Sequence, residues 1–257
     1  MESFRSLWWK GKDPHIEGGV LKAGPGPQYC PLEVPNLPNA LAKVRDAEAA
    51  VRFAGTYGRL GYDWILPKGQ LDRRVGGDPL DWFLTQADTV RCALALVEAL
   101  GREDENVAGA ILKAQSVQTP AGFLIAKGPA RVVQELFVEP DFGEPPALAA
   151  ARAMVAGLVN GNTEGVHREI SRMQGQLASG FVFPALISAI WWMLGDAAIL
   201  AQEQDGAAIR LCEECGTPFV VTDRRQRFCP PEFGSKASVC GTRYRMRQHR
   251  AKKGAGK

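Results

Sequence analysis

Histidine is scarce in this chain, with three among 257 residues. His15 sits among prolines and glycines, His167 in a polar stretch and His249 in a basic tail. No Gly-x-Ser-x-Gly elbow, no Walker-type phosphate loop and no His-Glu-x-x-His pair occurs. Their absence removes the serine-hydrolase, nucleotide-hydrolase and zinc-peptidase chemistries those motifs carry. Gly24-Pro25-Gly26-Pro27 has no Gly-Lys-Ser/Thr after it, so it is not a phosphate cradle. Asp63 and Asp81 precede Trp64 and Trp82 and read as a turn and a helix start rather than an acid/base pair. The expectation is that the protein is not an enzyme. No long apolar run opens the chain before its charges, so no secretion signal is expected and the reading is cytoplasmic. The most apolar segment, 180–201, is interrupted by Pro184 and Asp196, and a membrane span needs about 20 apolar residues. It is expected as a core helix, with no membrane partner. Internal repeats are missing, and low complexity is confined to the last few residues, 252–257.

Six cysteines are present, and four of them crowd into the last fifth of the chain. Cys212-Glu213-Glu214-Cys215 is a C-x2-C knuckle, and Cys229 and Cys240 follow after 13 and 10 intervening residues. Thiolates so spaced can grip one ion, because the tight turn points both sulfurs inward. Zn²⁺ takes four such ligands in a tetrahedron at about 2.3 Å. Gly216 suits the permissive backbone that such a turn needs. Disulfides belong to oxidising compartments, and four clustered thiols are not stray core cysteines. A structural Zn²⁺ on Cys212, Cys215, Cys229 and Cys240 is therefore expected. A catalytic site would leave an open position and use His or carboxylate ligands. His249, two turns beyond Cys240, is the weaker alternative ligand.

Positive charge concentrates in the same segment. Residues 209–257 hold 12 Lys/Arg against 4 Asp/Glu, whereas the whole chain holds 31 against 28. Arg224, Arg225 and Arg227 precede Cys229. Arg243, Arg245, Arg247 and Arg250 follow Cys240 with no acid among them. On a helix Arg243, Arg247 and Arg250 share one face. A helix basic nearly all round cannot bury a broad face, and Tyr244 and Met246 are the residues available to anchor its start. Such a surface suits phosphates, since each one neutralised releases condensed counterions. The expected partner is a nucleic acid. Stacking aromatics are few (Phe219, Phe228, Phe233, Tyr244), and the residues do not choose between DNA and RNA.

Cys240-Gly241-Thr242-Arg243 with its basic helix resembles the CGNR zinc-finger family, and Arg225-Gln226-Arg227-Phe228-Cys229-Pro230 is similar to the approach to a later cysteine in related bacterial zinc modules. Thr242 stands where that box has Asn, and the Cys229–Cys240 gap is longer, so 230–235 must loop out. The resemblance spans residues 209–250, about a sixth of the chain, with weaker echoes at 53–61. It implies a bacterial transcription regulator with a helical N-terminal domain that binds DNA. Thr242 is expected to cap the helix start.

The remaining sequence reads as follows. Residues 11–39, rich in Pro and Gly, are expected as an extended arm over the surface. Asn39 can cap a helix to about Ala54, and Asp78 another, with Pro79 at its first position and Gly101 at its end. Further helices are expected over 104–115, from Pro146 to about Val159, and over 184–201. Short strands are expected at 123–125 and 136–138. Cys92 falls on an apolar row as a core thiol. Gln202-Glu203-Gln204-Asp205-Gly206 marks a boundary.

The expected fold is mainly α. A helical domain over 1–205 senses, binds or dimerises. A small treble-clef or zinc-ribbon-like β-hairpin/helix module over 206–253 holds zinc, and 254–257 is a disordered tail. The alternatives are an RNA binder, or a zinc-stapled module that docks another protein.

Overall fold

The computed structural model describes residues 7–34, 36–66, 74–119, 122–125, 135–136, 143–173, 176–203, 209–221, 223, 225–231 and 235–254. Strands β1 (Trp8–Glu17) and β2 (Val20–Tyr29) pair antiparallel, with Trp8 opposite Tyr29 and Glu17 opposite Val20. Gly18 and Gly19 close the turn at φ 57° and 77°. A two-residue primed turn needs positive φ at both positions, which glycine supplies at no steric cost. The expected arm is thus a hairpin, and its prolines sit within the ladder. Pro14 lies where the ladder skips between Lys12 and His15, and Pro25 and Pro27 lie beyond the reach of a third strand. A missing N–H is tolerated at such places. The third strand, β3 (Asp78–Pro79), pairs only with Val20 and Leu21.

A 3-10 turn over Pro31–Glu33 leads to α1 (Leu37–Ala42), and then to α2 (Ala47–Tyr57). The single helix expected from Asn39 is therefore two. Arg91 donates from Nε to the Ala42 carbonyl and from Nη2 to that of Val44, both at 2.8 Å. These carbonyls are then taken where a continuing helix would need them. Asp46 caps α2 by accepting from the Ala49 N–H at 2.8 Å, and Asn39 lies inside α1 instead of at its start.

After a short helix α3 (Tyr62–Ile65), the chain re-enters at β3 and continues as α4 (Leu80–Gly101). Asp78 does not cap α4. Its buried carboxylate accepts the backbone N–H groups of Leu60, Gly61 and Tyr62 at 2.6, 3.1 and 2.9 Å, which fixes the turn into α3.

Then come α5 (Glu105–Gln115), β4 (Ser116–Thr119), β5 (Gly122–Ile125), β6 (Glu135–Leu136) and α6 (Pro146–Asn162). Of the strands expected at 123–125 and 136–138, residues 137–138 lie outside the described residues. A second hairpin, β7 (His167–Met173) with β8 (Gln176–Val182), precedes α7 (Leu186–Glu203).

Helices α4 to α7 pack on one another around a core that includes Phe83, Leu94, Met154, Leu186, Ile190 and Trp191. Fully burying each such side chain contributes about 1.5–3 kcal/mol. Most of α7 is buried, but Leu200, near its end, is exposed at 43%. Cys92 is half-buried and packs against the core. Among the described residues no helix is long and apolar enough to cross a membrane.

The expected mainly-α class is overturned. Antiparallel sheets β1-β2-β3, β4-β5-β6 and β7-β8 alternate with helices before residue 205, in addition to a further pair near the C-terminus. The last elements are β9 (Ile209–Leu211), β10 (Pro218–Val220) and α8 (Val239–Gly254). β9 and β10 pair antiparallel and pack against α4, and β10 also touches α1. Ile209 belongs to the main core, so the cysteine segment is seated on the body of the protein.

Candidate metal centre

The knuckle hangs between β9 and β10. Cys212 N–H donates to the Thr217 carbonyl at 3.0 Å, and Gly216 N–H to that of Cys212 at 2.8 Å. Gly216 has φ 68°, a conformation an L side chain rarely adopts. The loop bearing Cys229 is tied back to the knuckle. Glu213 N–H donates to the Arg227 carbonyl at 3.1 Å, and Cys229 N–H points at the Cys212 sulfur at 3.4 Å. Cys240 enters from the first turn of α8.

The four sulfurs lie within 4.8 Å of one another. Cys215 and Cys229 are 3.5 Å apart, and every cysteine is free. A disulfide would need about 2.05 Å, whereas a Zn²⁺ tetrahedron with 2.3 Å bonds sets sulfurs about 3.8 Å apart. The arrangement fits an ion held by Cys212, Cys215, Cys229 and Cys240. His249 is exposed on α8 and is not part of this group. Phe219, fully buried, packs with Cys212, Cys229 and Cys240 beneath the site.

The thiols differ in their hold on protons. Burial pushes Cys240 up to about 11 and Cys229 still higher, although the Lys43 ammonium works the other way on Cys229. Burial also raises Cys215, but hydrogen bonds from Thr217 and the neighbouring thiols outweigh it and bring Cys215 to about 7.

The arginines divide into two groups. Arg227 forms a bidentate pair with Glu213, Nε and Nη2 each 2.5 Å from a carboxylate oxygen. Its guanidinium also lies 5.8 and 5.9 Å from the rings of Phe228 and Tyr244, whose centroids are 4.9 Å apart with the planes tilted by 42°. Arg247 pairs with Glu214 and so ties α8 to the knuckle. The Arg225 side chain, 91% exposed, makes a long contact of 3.5 Å with Asp223, to whose carboxylate the Arg225 backbone N–H also donates at 2.8 Å. Arg243, Arg245 and Arg250 are exposed on α8, and Arg245 reaches the Thr242 hydroxyl at 3.4 Å. Arg224 lies outside the described residues. The clustering of the thiols was legible in their spacing. The pairing of Glu213 and Glu214 with arginines 14 and 33 positions away was not.

Ser238, not Thr242, caps α8: its Oγ accepts from the Gly241 N–H at 3.1 Å. Thr242 lies a turn inside and donates back to the Ser238 carbonyl at 2.9 Å. Tyr244 anchors the helix start, but Met246 is 52% exposed. A further link ties the site to the body. Asn36 Nδ2 donates to the Pro231 carbonyl, two residues past Cys229, at 2.6 Å. No family model matches this chain, and no curated protein or solved structure matches it.

Proposed function

We propose that the four thiolates hold one structural Zn²⁺, and that the module built on it contacts the phosphate backbone of nucleic acid, DNA in preference to RNA, as part of a transcription regulator. The observation that carries the reading is the four-sulfur cluster with a basic helix starting at one of its members. When bound, the ion would cross-link the knuckle, the Cys229 loop and α8, and so supply folding free energy to a segment with little apolar core of its own. Among the described residues four sulfurs make up the candidate ligand set, which is that of a structural rather than a catalytic ion.

The phosphate contacts fall to Arg225, Arg243, Arg245 and Arg250, whose guanidinium groups face solvent. Arg227 and Arg247 brace the module through the knuckle glutamates. That bracing also favours a second reading, a zinc-stapled surface that docks another protein, because it removes two charges from the cationic face. A salt titration separates the two. Phosphate binding weakens steeply with salt, while a docking module shows little salt-sensitive binding to any duplex. Failure of the metal-loaded protein to shift duplex DNA or RNA at low salt would decide for docking.

A further inference from the structure

The N-terminal hairpin and the turn into α3 gather three tryptophans. Trp8 is nearly buried, at 9% exposed, and is the common neighbour of the other two. Its ring centroid lies 6.1 Å from that of Trp9 and 4.9 Å from that of Trp64, the latter edge to face at 84°. Trp9 and Trp64 remain 40% and 46% exposed. Two half-exposed indoles around one buried ring leave a large apolar surface in water, which marks a place where something binds.

The turn is built to hold them. Trp8 Nε1 donates to the Arg59 carbonyl at 3.1 Å. A Cβ on Gly58 would sit 2.1 Å from the Trp9 carbonyl oxygen, so only glycine lets this turn lie against β1. The Arg59 guanidinium is thereby carried to 5.3 Å from the Trp64 ring, a cation–π distance. Arg59 also feels the buried Asp78 carboxylate, but that group already accepts three backbone N–H groups. The three indoles, Arg59 and Lys10 line a groove of about 260 Å³ together with the small residues Ala23 and Gly24, and among the described residues no acid lines it. The volume is below the roughly 300 Å³ at which pockets for drug-sized ligands begin, so one planar ring enters and its substituents stay outside. Indole faces beside a guanidinium suit a base and its phosphate, because any base can stack and the guanidinium fork takes two phosphate oxygens.

We propose that this groove binds a single nucleobase with its phosphate, the ring against the exposed indoles of Trp9 and Trp64 and the phosphate on Arg59. The base comes from a free nucleotide or from an unpaired position in a strand. The groove shares no residue with the cysteine cluster or with α8, so it needs neither the metal nor a duplex.

AMP and a short oligo-dA are the probes. Oligo-dA is titrated into the full chain with Arg225, Arg243, Arg245 and Arg250 changed to Ala, which takes the phosphate contacts of the C-terminal module out of the reading. Adenosine lacks the phosphate, ribose 5-phosphate lacks the base, and a proline-rich peptide is the other common occupant of aromatic-lined grooves. Calorimetry should show AMP or oligo-dA binding at least about ten-fold more tightly than all three controls, with quenching of tryptophan fluorescence. Comparable affinities assign the site to free nucleotides, and oligo-dA about ten-fold tighter than AMP assigns it to strands. Trp64→Leu should cost the tighter probe about ten-fold in affinity, whereas Trp64→Phe, which keeps a π-face, should retain most of it. Arg59→Gln should cost about ten-fold as well. Trp9→Leu repeats the stacking test should Trp64→Leu fail to fold. Binding of neither probe overturns the proposal, and so does a control that binds as tightly. Undiminished affinity in the folded Leu variants, or equal losses in Trp64→Leu and Trp64→Phe, does so equally, since no ring would then be stacking.

Discussion

Two sets of arginine variants should behave oppositely on nucleic acid. Changing Arg225, Arg243, Arg245 and Arg250 to Ala removes guanidinium groups that face solvent and carry little of the module's internal bonding. Each lost phosphate contact flattens the dependence of log affinity on log salt by about 0.9 on duplex DNA, so four flatten it by about 3.6. Over the fourfold salt increase from 50 to 200 mM, the native protein should therefore lose about 150-fold more affinity than the variant. Arg227→Met with Arg247→Met does something else. It leaves Glu213 without its bidentate partner and Glu214, whose side chain is only 14% exposed, without its ion pair. Losing the Glu214 pair alone should cost about 1–2 kcal/mol, read as a lower melting temperature, with a salt slope close to native. Fluorescence anisotropy on a labelled duplex across salt concentrations, alongside thermal melts, distinguishes the sets. If the exposed quadruple variant keeps the native slope, or the Arg227/Arg247 variant loses slope at unchanged stability, the division of roles is wrong.

Asp78→Asn should destabilise the protein by about 3 kcal/mol, because an NH₂ group would face the N–H donors of Leu60, Gly61 and Tyr62; a chemical-denaturation midpoint within error of native would refute the role given to that carboxylate. Ile190→Asp should leave little folded protein, since the fully buried α7 position offers a charge no partner; a cooperative native-like melt would contradict the packing. With Cys240 raised to about 11 from a free value near 8.5, the metal-free chain gains stability from that thiol below about pH 8.5 and loses it as pH rises through 11. Its melting temperature should fall over that window, whereas the metal-loaded chain, already deprotonated there, should not follow it. Metal affinity should fall as pH drops toward 6, because the thiols must shed protons to bind; an affinity flat between pH 6 and 8 would exclude an all-thiolate site.

The metal cluster was legible because two thiols at C-x2-C spacing have few other uses and because charge and cysteine concentrate together. The long helices α4, α6 and α7 were legible from their apolar rows. The class was not. Pro14, Pro25 and Pro27 argue against a ladder, yet the β1–β2 hairpin accommodates them: Pro14 and Pro27 fall where the register skips, and Pro25, opposite Gly11, lies on the part of β2 that β3 does not reach. Asp78 reads as a helix cap in the one-dimensional pattern. Three N–H groups from 16 to 18 residues upstream compete for it and win. Asn39 likewise looks like a cap, but α1 begins at Leu37, with Pro38 in its first turn, which places Asn39 inside the helix and buried. For Asp78 the cause is that a distant backbone claims a carboxylate that the local pattern assigns to the nearest helix.

The most direct test of the account is X-ray absorption at the zinc edge on protein purified without chelator, together with metal stoichiometry. The account predicts about one zinc per chain surrounded by four sulfurs at about 2.3 Å. Absence of bound metal, a nitrogen or oxygen in place of one of the sulfurs, or a Cys212–Cys215 disulfide in reduced protein would contradict it.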